Sequence, residues 1–220
     1  MLRNFFASPS FLGLLKFWDA SRNGRKVPDW DGDLACIPAE LLPHLIIVDR
    51  DGALRYRHVG AGLAVGFGHD PTGKTIAETL SPGYAAYISD IIERTLTSGN
   101  PIFSACVLHR QSTVKMTGRL VVPFTFPGAR RQWLIMSAHL MGGDVFKVPE
   151  AIEPGGVIEI QRLMISGVPD LCARLEEAGR YHRLSHLTTD RALARKWDAI
   201  ATSLGSCVLV PLEAFRLANS

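Results

Sequence analysis

Two kinds of hydrophobic spacing run along this chain. Phe11, Leu14, Leu15 and Trp18 recur at helical intervals, with Ser8 or Ser10 as cap, Pro9 in the first turn and Gly24 as a stop, which predicts an amphipathic helix. Leu45, Ile46, Ile47 and Val48 form an apolar run that meets Asp49-Arg50-Asp51-Gly52, and residues 54–59 then alternate large with charged side chains. That reads as two antiparallel strands joined by a tight turn. Gly60, Gly62, Gly66 and Gly68, followed by Asp70-Pro71-Thr72-Gly73-Lys74, keep any helix that starts at Ala61 short. Residues 75–80 make one or two helical turns, and Tyr84, Tyr87, Ile88, Ile91, Ile92 and Thr95 mark one long amphipathic helix closed by Gly99-Asn100-Pro101.

The second half of this pattern is extended. Residues 102–109 lead to a polar turn at Arg110-Gln111-Ser112. Val114, Met116, Leu120, Val122, Phe124 and Phe126 then alternate with Lys115, Thr117, Arg119 and Thr125, the period of a strand with one buried face. Pro123 suits an edge or a bulge better than a central position. Pro127-Gly128 turns the chain into a last strand over residues 132–141. The expected fold class is α+β: a five-stranded antiparallel sheet with helices on one face, an N-terminal helix and a C-terminal helical appendage. The expected division is a helical segment 1–26, a core 27–142 with a Pro-interrupted loop over 27–43, a Pro/Gly linker 143–156 and a helical appendage 157–220. In the appendage, Val168, Leu171, Cys172 and Leu175 predict a helix ending at Gly179, and Leu193, Trp197, Ile200 and Leu204 another ending at Gly205.

Several of these features occur together in a known pattern. The Phe17-Trp18 helix, the acidic loop with prolines, Leu42-Pro43, a strand ending in Asp49, the Tyr56-Arg57 strand, Gly60 with small neighbours, and Gly68-x-Asp70-x-Thr72-Gly73-Lys74 resemble stand-alone bacterial PAS-domain proteins. The resemblance covers residues 11–141. It implies a sensory or regulatory module in signalling, without catalytic output of its own, that acts through a small ligand or protein contacts. The implied pocket lies between the long helix and the sheet. Periodicity offers Phe67, Tyr87, Ile91, Met116 and Leu120 as its lining, and Tyr56 and Arg57 of the Tyr-Arg strand join them. Asp49 and Arg57 either form a charge pair across the hairpin or touch a ligand. An amphipathic helix ahead of such a core either covers its own sheet or packs on a second subunit, and a homodimer through this helix and an unidentified regulatory partner are expected.

Composition narrows the alternatives. At 220 residues, 47% hydrophobic and 20% charged, the chain can bury a core of its own, and a net charge of +3 with interleaved signs favours neither nucleic acid nor an anionic membrane. No apolar run approaches the roughly 20 residues of a bilayer span. Pro9, Lys16 and the lack of a small-x-small site argue against a secretory signal, so a cytoplasmic location is expected. Cys36, Cys106, Cys172 and Cys207 form no Cys-x-x-Cys pair and read as reduced thiols buried as small hydrophobes.

Arg57-x-x-Gly60-x-Gly62 matches the turn with which GNAT-type acetyltransferases hold coenzyme A pyrophosphate, which makes an acyl-CoA-dependent acetyltransferase the alternative function; the glycines read more simply as room for a tight strand-to-helix turn. Asp29, Asp31, Asp33 and Glu40 fit a calcium loop except that Leu34 stands where glycine is needed. His182 and His186 lack a third ligand, so no metal is expected. The long helix has no haem-binding histidine, no flavin Asn-Cys-Arg-Phe motif is present, and Cys106 shows no activating neighbour in the sequence. No cofactor is therefore expected, although an unknown small ligand is. Nor is a nucleophile motif found, so the chain is read as a non-enzyme with the acetyltransferase as runner-up.

Overall fold

All of Leu45, Ile46, Ile47 and Val48 are buried, which a strand exposed on one face would not require. The computed structural model of the chain gives the reason: this strand is covered on both faces. The structure describes residues 9–110, 113–128, 131–140, 157–188, 190–196, 199 and 209–211. Helix α1 (Pro9–Ser21) precedes the hairpin β1 (Leu45–Asp51) and β2 (Ala53–Val59). Three helices follow, α2 (Ala61–Phe67), α3 (Ile76–Thr79) and α4 (Pro82–Ser98). Then come β3 (Ile102–Arg110), β4 (Thr113–Thr125), β5 (Gln132–Leu140), β6 (Val157–Ile165), helix α5 (Val168–Leu187) and the short β7 (Leu209–Pro211).

The strands form one seven-stranded sheet in the order β2-β1-β5-β4-β3-β6-β7, every neighbouring pair antiparallel. The expectation of five strands is thus corrected by two further ones. Val157–Ile165 was expected to begin a helical segment; it pairs instead with β3, whose outer edge would otherwise expose a row of unpaired amides. Residues 143–156, the expected linker, lie outside the described residues, as does most of the second appendage helix. The first one runs past Gly179 to Leu187.

Helices cover both faces of the sheet, not one. On one face Phe11, Leu14, Leu15 and Trp18 of α1 pack on Leu45, Ile47, Leu120, Val122 and Phe124, joined by Leu171 and Leu175 of α5. On the other, Ile88, Ile91 and Ile92 of α4 pack on Val48, Ile102, Val121, Leu134 and Met136. Each fully buried aliphatic side chain contributes about 1.5–3 kcal/mol, so the two layers together outweigh any single ion pair. The apolar face of α1, a candidate dimer surface in the sequence, is covered by its own chain.

Local chemistry sets the element ends. Gly68 and Gly99 close α2 and α4 with φ of 72° and 66°. Thr75 and Glu78 form a reciprocal capping box that starts α3. Pro123 sits in a central strand, against expectation, but at an end where β4 has no β3 neighbour: that pairing stops at Ile102 opposite Val121. There residues 28–30 take over, with the Thr125 amide donating to the Pro28 carbonyl at 3.0 Å and the Trp30 amide to the Thr125 carbonyl at 2.8 Å. Among the described residues no helix is long and apolar enough to cross a membrane.

Candidate functional site

Adjacent antiparallel strands place directly opposed residues on one face. β3 and β4 set Ser104 opposite Arg119 and Cys106 opposite Thr117, a square of four polar side chains beneath α4. Tyr84 and Tyr87, three apart on α4, stack with ring centroids 6.3 Å apart and planes 17° apart. Arg119 lies under them, only 3% exposed. Its guanidinium donates to Ser104 Oγ at 3.3 Å, Tyr84 Oη at 3.1 Å, Cys106 Sγ at 3.2 Å and Thr117 Oγ1 at 2.5 Å. It also lies over the rings of Tyr87 and Tyr84, at 5.2 and 5.5 Å from their centroids.

Every one of these partners is a neutral hydroxyl, thiol or ring. Among the described residues no carboxylate pairs with Arg119; Asp90 and Glu159, on the neighbouring α4 and β6, are both taken by Arg162. A β-bulge makes that possible: the register of β6 slips between Ala105 and Cys106 of β3, which sets Glu159 opposite Cys106 and Arg162 opposite Ser104, so two residues three apart reach the same face. Arg162 donates from Nε to Glu159 Oε1 at 2.5 Å, is bonded to Asp90, and lies over the Tyr87 ring at 5.5 Å. Two guanidinium groups thus attend one tyrosine.

The electrostatics follow from burial and these neighbours. Burial disfavours the charged form of Arg119, but Tyr84, Cys106 and Tyr87 more than offset it, and its pKa is raised. The side chain stays cationic at any physiological pH. Burial pushes the Tyr87 phenol up to about 12. Its Oη lies near Ser104 but, buried, makes no hydrogen bond of normal geometry. For Asp90, burial acts upward and is outweighed by Arg162 and Arg94, which hold the carboxyl below its usual range.

Four of the residues expected at the pocket share this side of the sheet. Tyr56, Phe67, Tyr87 and Ile91 belong to the cluster under α4, with Tyr56 and Phe67 meeting edge to face at 5.8 Å. Leu120 does not: side chains alternate along β4, and it packs in the α1 layer. Met116 is on β4, but its side chain lies outside the described residues. Arg57 is held in the hairpin. The β1–β2 register slips between Ile47 and Val48, leaving Arg57 as the extra residue of a bulge, and its Nε donates to Asp49 Oδ2 at 2.7 Å. Arg131 binds the same oxygen. Asp49 is 1% exposed, and although burial raises its pKa, the two guanidinium groups bring it below the usual carboxylate value.

The central residue, Arg119, was read from the sequence as part of a solvated strand face. The available signal was the set Ser104, Cys106, Thr117 and Arg119 at alternate positions of two neighbouring strands, opposite the phenols of a helix stripe. Cys106 has, in Arg119, the cationic neighbour that its strand alone did not show.

The glycine turn has a structural cause as well. A Cβ on Gly60 would stand 2.3 Å from the Leu42 carbonyl oxygen, and one on Gly62 2.9 Å from that of Pro43. The Gly60 amide already donates to the Leu45 carbonyl at 2.8 Å, and the helix after it has seven residues. Of the calcium-loop positions, Asp29 binds Arg25 and Thr125, while Asp31 and Asp33 accept amides of their own loop at 2.9 Å. The side chains of His182 and His186 lie outside the described residues. A separate groove of about 750 Å³ runs between α1 and residues 38–44, lined by Gly13, Lys16, Phe17, Leu41 and His44 among others. No family model and no curated protein matches this chain.

Proposed function

We propose that this protein is a sensory or regulatory module of PAS type, binding a small molecule between α4 and the sheet and passing the change to a partner, with no catalytic step of its own. The observation that carries this reading is the path of residues 45–140. A hairpin β1–β2 leads through three helices on one face to β3, and β4 and β5 return so that β5 lies beside β1. The order β2-β1-β5-β4-β3 within the sheet, with β6 and β7 beyond β3, supports this reading.

Function on this reading is a shift between two arrangements of the elements around the site, limited to the difference in ligand affinity between them. α4 and β6 are the elements through which occupancy is read out, since Tyr87 and Asp90 of the helix are held by Arg162 of the strand. A second copy would meet the exposed side of α1 and its groove. Against the acetyltransferase reading stand the short helix after Gly60 and the engagement of the Gly60 amide.

Native mass spectrometry of the full chain purified from its own host tests the proposal. A carried small molecule, lost in Tyr87→Ala, is expected. A chain that carries nothing and binds nothing from a host metabolite extract would replace the sensor with a purely structural interaction module.

A further inference from the structure

The polar cluster under α4 has a charge imbalance at its centre. Placing a guanidinium in a site that is 3% exposed costs several kcal/mol unless a counter-charge compensates it. Its hydroxyl, thiol and ring partners stabilise the cation, but none carries a formal negative charge. Asp90 and Glu159 cannot serve Arg119, because Arg162 holds both.

We infer that Arg119 is the anchor for the carboxylate of a small monocarboxylate ligand, which enters by displacing the Tyr84 hydroxyl. This inference rests on the sensor reading above and names the ligand class of that site. Three observations select the chemistry. The planar fork of a guanidinium matches a carboxylate with two parallel hydrogen bonds. Apart from the paired charges Asp90, Glu159 and Arg162 on the β6 side, the surroundings are apolar, with Ile88, Ile102 and Val121 in the same cluster, so the rest of the ligand is a short apolar or aromatic body. Among the described residues a second negative charge would find no free cation, since the other guanidinium of the cluster, Arg162, is already doubly paired; a dicarboxylate or a phosphate dianion is disfavoured on that ground.

Tyr84 is the replaceable partner. Ser104 and Cys106 are fully buried in the sheet, whereas Tyr84 is half-buried on the first turn of α4 and meets Arg119 through its terminal hydroxyl and the face of its ring. Moving that ring opens a way to the guanidinium without breaking a strand.

Calorimetric titration of the full chain with sodium benzoate and sodium butyrate, against benzamide and inorganic phosphate, tests the inference. At least one carboxylate is expected to bind, at least about tenfold more tightly than benzamide or phosphate. Arg119→Met should lose that binding, while Arg25→Met, which alters an exposed guanidinium far from the cluster, should keep it. Tyr84→Phe retains the ring and removes the competing hydroxyl, so it should bind the carboxylate about threefold to tenfold more tightly; this variant decides the matter if Arg119→Met does not fold. The inference is overturned if neither carboxylate binds, if benzamide or phosphate binds as well, or if Tyr84→Phe leaves affinity unchanged. Binding of benzamide alone would discard the carboxylate anchor and leave the sensor reading in place.

Discussion

The indole N–H of Trp18 donates to the carbonyl oxygen of Pro123 at 2.7 Å, across 105 residues of chain. Both groups are buried, and the bond fastens α1 to the end of β4 that β3 does not reach. Trp18→Phe removes the donor, leaves a buried carbonyl unpaired and should cost about 1–3 kcal/mol. Trp18→Ala removes the side chain as well and should cost about 3–5 kcal/mol. Urea unfolding of both variants gives the difference. No loss in Trp18→Phe beside a large one in Trp18→Ala would mean that packing alone holds this helix.

Asp49 is predicted to make stability depend on pH in the acid range. Its folded pKa lies below the ordinary value of 3.8, so the carboxylate contributes fully above that pH, and the contribution is lost as pH falls through the folded pKa. Asp49→Asn should cost about 1–3 kcal/mol at neutral pH, the range for hydrogen bonds to charged groups. Wild type and variant should converge as pH falls through that lowered folded pKa. Denaturant midpoints measured between pH 2 and 7 check both the size and the sign.

Glycine 60 and glycine 68 should respond differently to alanine. Gly60 has an ordinary φ of −59° but no room, because its Cβ would meet Leu42 and Pro43 backbone atoms within 2.4 Å. Gly60→Ala should therefore cost about 3 kcal/mol through displacement of the backbone. Gly68 has open space and a φ of 72°, so Gly68→Ala carries only the left-handed penalty of about 1–2 kcal/mol. The reverse ranking in thermal unfolding would remove the steric account of this turn. Because Gly60 is structural, acetyl-CoA titration of the unaltered chain is the cleaner test of the acetyltransferase alternative.

Thiol reactivity should follow burial. Cys36 is exposed, while Cys106 and Cys172 are buried, and burial pushes the Cys172 thiol up to about 11. Timed iodoacetamide labelling at pH 8, read by peptide mass spectrometry, should modify Cys36 first and leave Cys172 among the slowest. Early labelling of Cys172 in the folded chain would mean that α5 separates from α1.

Much of the fold was legible locally. The helical spacing of Phe11, Leu14, Leu15 and Trp18, the hairpin around Gly52, the short helix ended at Gly68 and the long one ended at Gly99 all follow from neighbours within a few residues. What covers each surface was not legible. Arg119 alternates with Leu120 and Val122 as a solvent-facing residue would, and its burial depends on α4, which closes over it from more than thirty residues away in the chain. The sequence likewise offered Leu120 for a pocket on the far side of the sheet, because periodicity separates two faces without saying which helix meets which.

By itself, then, the sequence determined the kinds of elements, most of their ends, and the antiparallel hairpin, since backbone preference and side-chain period act over one turn or one strand. Only the tertiary structure decided that the sheet has two covers, that β6 occupies the edge of β3, and that a buried cation with neutral hydrogen-bond partners lies beneath two tyrosines. Those outcomes depend on contacts between segments tens of residues apart, where the free energy lies in which surfaces exclude water together and not in any local preference of the chain.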